Sequence, residues 1–130
     1  MKLIRCKDQP SQTLEEFYEK MIGKDCVEND TGKAMLNLIE ALRKLPNEKT
    51  VWALTSLSSL WFLAENNYQS LWLVNIIASD FEFYHIKYRM LDSQAPWPEA
   101  WVLGQAKSES EAVKMILIAM KNSGGWAFDL

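Results

Sequence analysis

His85 is the chain's single histidine, and Lys87 and Arg89 follow it at alternate positions. On a strand, that spacing puts all three side chains on one face. A histidine acts as a general base only beside a nucleophile or an orienting carboxylate. Its neighbours here are cations, so it reads as a residue of a solvated strand face. Cys6, Cys26 and His85 have no metal-ligand spacing, and the sequence contains neither CxxC nor HExxH. Gly104 and Gly124-Gly125 belong to no phosphate loop, since no GxxxxGK or GxGxxG precedes a helix. Glu15-Glu16 and Glu109/Glu111 fall in first helical turns, where the helix dipole accounts for them. Met115 and Met120 read as packing. The expectation is a non-enzymatic protein with no catalytic residue, no metal and no cofactor.

Binding chemistry is better represented. Pro96 and Pro98 hold Trp97 in an extended backbone with no donor on either side. Trp97 either packs as a lid or stands ready for contact. If exposed, it is an aromatic anchor rimmed by Asp92 and Glu99, the composition that interface hot spots favour. Tyr68, with Glu65, Asn66 and Asn67 on a turn, is a second such cluster or else an ordinary polar turn. Asp80 and Glu82 lie between the two along the chain. The expected partner surface is therefore Glu65, Tyr68, Asp80, Glu82, Asp92, Trp97 and Glu99.

Charge bounds the partner. The 17 acidic and 14 basic residues give a formal charge of -3, and Lys and Arg nowhere form a run longer than a pair. Nucleic-acid binding normally leaves a basic footprint, so no direct nucleic-acid contact is expected. A mildly acidic surface suits a basic partner, although it also describes many proteins that are simply soluble. No apolar run approaches the roughly 18 residues of a membrane span. The opening Met-Lys-Leu-Ile-Arg-Cys is too short for the core of a signal peptide. Reduced thiols in a cytoplasmic protein are expected, as monomer or homodimer.

The elements that must position these residues follow from periodicity. Thr13 with Glu16 is a capping-box pattern. Leu14, Phe17, Tyr18, Met21 and Ile22 then form one helical stripe, closed by Gly23. Lys24 to Gly32 reads as a loop. A second helix starts near Thr31, capped by Asn29-Asp30, with Met35, Leu38, Ile39, Leu42 and Leu45 inward and Pro46 as its stop. From Thr50 the β-branched and aromatic content predicts two strands, over 50–55 and 60–64. One helix over 50–65 is the competing reading, because Leu54, Leu57 and Trp61 are also helix-spaced.

Leu71 to Ala78, apolar on both sides except Asn75, marks a central strand. Trp72, Val74, Ile76 and Ala78 take one face of it, and Leu71, Leu73 and Ile77 the other. After a turn at Ser79-Asp80, residues 82–90 alternate, with Tyr84, Ile86, Tyr88 and Met90 opposite His85, Lys87 and Arg89. Trp101 to Ala106 is the last strand, with Gly104 at a bulge or close approach. Ser108 and Glu111 cap a final helix striped by Ala112, Val113, Ile116, Leu117 and Met120. That helix is expected to be the most buried, with Ile116 and Leu117 fully inside. Ser123-Gly124-Gly125 ends it, and Trp126 and Phe128 fold back onto its last turn. Leu3-Ile4 has the composition of a short strand.

The order predicts one α+β domain over residues 1–130. It has two N-terminal helices, a four- or five-stranded, mainly antiparallel meander sheet, and one C-terminal helix packed on the sheet. The sheet's other face must be solvated or covered by a partner.

Several stretches carry a family likeness: Val51-Trp52-Ala53-Leu54-Thr55-Ser56, Leu63-Ala64-Glu65-Asn66-Asn67-Tyr68, Ala95-Pro96-Trp97-Pro98-Glu99-Ala100, residues 107–116, and Ser123-Gly124-Gly125-Trp126. Together they resemble the bacterial immunity proteins of polymorphic toxin and contact-dependent inhibition systems. The resemblance implies a cytosolic, non-enzymatic protein that binds one cognate toxin domain, a basic nuclease domain among the candidates. The alternative is a small acidic secretion chaperone that holds an effector segment. A small-molecule enzyme would need a polar pocket that the sequence does not show.

Overall fold

Six strands hydrogen-bond side by side in the order in which they occur along the chain. The structure, a computed structural model, describes residues 1–79 and 83–126. The elements are β1 (Lys2–Arg5), α1 (Leu14–Glu19), α2 (Cys26–Arg43), β2 (Thr50–Ser56), β3 (Ser59–Leu63), β4 (Trp72–Ser79), β5 (Phe83–Arg89), β6 (Trp101–Ala106) and α3 (Glu109–Asn122). The class is α+β, and the stretch 50–65 is a strand pair, not a helix.

Among the described residues the sheet has six strands where four or five are expected, and it is mixed. β1 pairs in parallel with β2, from Lys2↔Thr50 to Arg5↔Ala53, while the other neighbours are antiparallel. A parallel neighbour needs a long crossover, supplied here by α1 and α2. No local turn announces such a pairing in sequence. The Gln9 side chain extends it, donating to Thr55 O at 2.7 Å and accepting from Thr55 N at 2.9 Å.

The helices depart from expectation at their ends. Thr13 and Glu16 do form a capping box, but α1 stops at Glu19, and Gly23 (φ 87°) turns the chain after a non-helical stretch. α2 begins at Cys26, not near Thr31. Its cap is Asp25, whose Oδ1 accepts from Glu28 N at 3.0 Å. Asn29 lies inside the helix and accepts from Gly23 N at 2.9 Å. The polar look of Lys24 to Asp30 reflects a first turn facing water. Gly32 lies where α2 meets α1: a Cβ there would stand 2.8 Å from Tyr18 O. Arg43 donates to both carboxylate oxygens of Glu15, at 2.7 and 3.0 Å, and to Leu3 O at 2.8 Å, tying α1, α2 and β1 together. Those bonds from Arg43 hold the Glu15 carboxyl below its usual range.

All three helices cover one face of the sheet. Leu3, Val51, Ala53, Phe62, Val74, Ile76 and Ile86 meet Tyr18, Met35, Leu38, Ile39, Leu42, Ile116 and Met120 there, all buried. Tyr18 and Tyr84 bury their rings and send their hydroxyls to backbone carbonyls, of Ser58 at 3.1 Å and Ala34 at 3.0 Å. Burial raises both phenol pKa values.

α3 packs on β4, β5 and β6, and Gly104 lets Met115 lie where a Cβ would otherwise be. Ile116 is fully buried as expected, but Leu117 is only half-buried and Ile118 is 47% exposed. α3 is therefore not the most buried helix. It covers the outer strands and leaves one flank in water, whereas α2 lies over the middle of the core.

Two further expectations are corrected. The register slips between Phe62 and Leu63, so that Phe62 pairs with Val74 while Leu63 pairs with Trp72. This bulge puts Leu73 in the helix-side core and sends Trp72 to the opposite face, reversing their expected sides. Trp126 does not return to the last turn of α3. Its ring lies against Phe62, and its Nε1 donates to Thr50 O at 3.1 Å, over the β2–β3 pair. Phe128 lies outside the described residues.

Candidate partner-binding surface

The face of the sheet away from the helices carries no helix among the described residues. Strand alternation places Trp52, Leu54, Trp61, Leu63, Asn75, Ile77, His85, Lys87, Arg89, Trp101 and Leu103 there.

Three indoles run across it as a ladder. Trp61 lies 5.2 Å from Trp72 and 5.9 Å from Trp101, ring centre to ring centre. Lys87 Nζ stands over two of these rings, 5.4 Å from Trp61 and 5.3 Å from Trp101, and adds cation–π attraction to their tilted and edge-on contacts. Beneath the β1–β3 end lies a small second core of Cys6, Leu54 and Leu63.

The β3–β4 connection is anchored at that end. Trp72 Nε1 donates to Tyr68 O, Tyr68 N to Asp8 Oδ2 and Lys7 N to Asn66 Oδ1, each at 2.8 Å. The loop thus rests on the turn after β1. The far end of the face, over β4–β6, stays open. A concavity of about 480 Å³ there is lined by Asn75, Ile77, His85, Lys87, Leu103 and Gln105, among others. Asn75 is 3% exposed, and its Nδ2 has no acceptor among the described residues.

In a meander, successive connections alternate between the two ends of the sheet. The loops holding Glu65–Tyr68 and Asp92–Glu99 therefore lie at the same end. Glu65, Asp92 and Glu99 are exposed, Tyr68 is 54% exposed and Trp97 is 68% exposed. Trp97 is no lid; its indole stands in solvent. Glu99 takes a positive φ of 61° at the return into β6, a conformation uncommon outside glycine. Asp80 and Glu82 lie outside the described residues. Ser79 and Phe83, which flank them, pair at the opposite end of the sheet. Five of the expected residues are thus gathered at one end, and the indole ladder joins them: Trp72 reaches the Tyr68 loop, and Trp101 directly follows the Trp97 loop.

Sequence reasoning missed the ladder itself, in Trp61, Trp72, Trp101 and Lys87. Each is legible as an aromatic or basic strand residue, but only the pairing register brings them together.

His85 is exposed, with its Nε2 2.8 Å from Ser79 Oγ. That is nucleophile–base distance, yet among the described residues no carboxylate hydrogen-bonds the ring. The pair is a diagonal contact on an open strand face. Among the described residues no cluster of three or more His, Cys, Asp or Glu could hold a metal ion, Cys6 and Cys26 are free, and no helix is long and apolar enough to cross a membrane. Compared with family models, curated proteins and solved structures, the chain matches none of them, so its functional reading rests on this geometry.

Proposed function

We propose that this chain is a non-enzymatic immunity protein, which neutralises a cognate bacterial toxin domain in the cytoplasm by covering its active site. The observation that carries the reading is the joining of two exposed acidic–aromatic loops, at one end of the sheet, by a partly exposed indole ladder. A nuclease-type toxin that grips phosphates presents Lys and Arg at its catalytic site. Carboxylates at Glu65, Asp92 and Glu99 attract such a site at long range, while Tyr68 and Trp97 supply large, rigid contact surfaces.

On this reading a toxin domain is encoded next to this gene, and the test uses that domain. Co-expression should restore growth, and purified partners should associate at a rate that falls as salt rises. Reversing Glu65, Asp92 and Glu99 to lysine together should slow association on the order of tenfold at low salt and flatten its salt dependence. The melting temperature should barely move, because all three side chains are exposed. A triple variant that associates at the wild-type rate, with the same response to salt, ends the acidic-loop reading.

A further inference from the structure

Strand β6 is one margin of the sheet, and no described strand lies beyond it. Met90 N donates to Ala100 O at 3.0 Å, so Ala100 belongs to the residues whose backbone groups turn toward β5. By alternation Val102, Gly104 and Ala106 do the same, and Trp101, Leu103 and Gln105 turn their N–H and C=O groups outward. Edge strands are normally guarded by charge, proline or a bulge. Trp101–Ala106 holds neither a charged residue nor a proline, and Leu103 is 74% exposed.

We propose that two copies of this chain pair antiparallel along β6, about a twofold axis at Leu103. In that register Leu103 faces Leu103 of the second copy, and Trp101 faces its Gln105. All of these are outward-turned residues, so each such pair can exchange both of its backbone bonds. Val102 faces Gly104 of the second copy on the helix side. Just beyond the strand, the same register brings Glu99 against Lys107 of the second copy, and symmetry repeats the pair; both residues are exposed. An axis moved by one residue to Gly104 would still pair outward-turned groups, Leu103 with Gln105 of the second copy, but it would part the two Leu103 side chains and set Glu99 against Glu109 of the second copy, like charge to like.

A twofold interface must be self-complementary. This strand is so, with apolar side chains meeting at its centre and opposite charges at its margins. That symmetric charge match singles out a second copy over an unrelated extended segment. The pairing would run both sheets into one, with an indole ladder on each side of the axis.

Sedimentation velocity over a concentration series tests this on the full chain. The wild type should form a reversible dimer of the 15.0 kDa chain. Leu103→Lys places like charges face to face and should weaken self-association by about a hundredfold or more, with circular dichroism unchanged and melting unchanged at dilutions where both proteins are monomeric. Glu99→Lys should weaken it about tenfold, and Glu99→Lys with Lys107→Glu should restore it. A wild type that stays monomeric into the hundreds of micromolar, or a Leu103→Lys variant that dimerises like the wild type, overturns the proposal. Failure of the double swap to restore association overturns the register. A monomer whose β6 amides gain exchange protection only when the toxin domain is added assigns the edge to that partner and overturns the dimer. Repeating the toxin assay with Glu65 and Asp92 reversed, and Glu99 intact, keeps the two readings separable.

Discussion

Phe62→Ala should destabilise the chain by about 3–5 kcal/mol in a denaturant titration. Phe62 is among the largest fully buried side chains and sits mid-strand, with Ala53 and Val74 as its register partners. Neither of those small residues can grow into the space left by a phenyl ring, and both lie on paired strands that cannot close in without breaking hydrogen bonds. The cavity should therefore persist, and a persisting cavity adds to the lost transfer energy. Truncation also removes the edge-on contact with Trp126, so that indole's near-ultraviolet dichroism should weaken in the folded variant. Trp61 and Leu63 flank Phe62 and face the other way, which makes the same substitution loosen the floor of the indole ladder. A cost below about 1 kcal/mol would show that the core is not where the structure puts it.

Ile116→Ala is expected to cost about 2–5 kcal/mol, and its neighbour Leu117→Ala distinctly less. Ile116 is fully buried, facing the sheet, whereas Leu117 is rotated along the helix and keeps part of its surface in water. The transfer energy scales with the area removed from water, so adjacent positions on one helix should separate clearly. A change under half a kilocalorie at Ile116, or a larger one at Leu117 than at Ile116, would mean that α3 docks on a different face.

What the sequence disclosed follows the range of the interactions involved. The capping box at Thr13, the N-cap at Ser108, the inward residues Met35 to Leu42 of α2 and Ala112 to Met120 of α3, and the alternation of Tyr84 to Arg89 depend on neighbours within a turn or a strand, and they appear where the residues place them. The strand–helix ambiguity at 50–65 arose at Leu57, which takes a positive φ of 56° at the turn between β2 and β3, where asparagine or glycine is usual. Long-range pairing was hidden. The parallel seat of β1, the bulge that reverses Trp72 and Leu73, and the convergence of Trp61, Trp101 and Lys87 each depend on residues far apart in the chain. The site was half legible for the same reason. Each acidic–aromatic loop could be read in its own segment, but that they share an end, and what joins them, required the strand order.

The unequal standing of β1 has a kinetic consequence. The four antiparallel contacts from β2 to β6 join strands linked by short connections, so each closes a short loop and can form early. β1 can join only after the chain has passed through both N-terminal helices, so its loop-closure entropy is the largest in the sheet. It should therefore be the last strand to arrive and the first to leave, opening as a unit below the global unfolding energy. Its departure would uncover the thiol of Cys6, buried in the native state, whereas Cys26 is exposed throughout. Thiol labelling would then read two clocks in one molecule, a fast one at Cys26 and a slower one at Cys6 set by the opening of β1; Cys6 labelling only as fast as global unfolding would show that the strand never leaves alone.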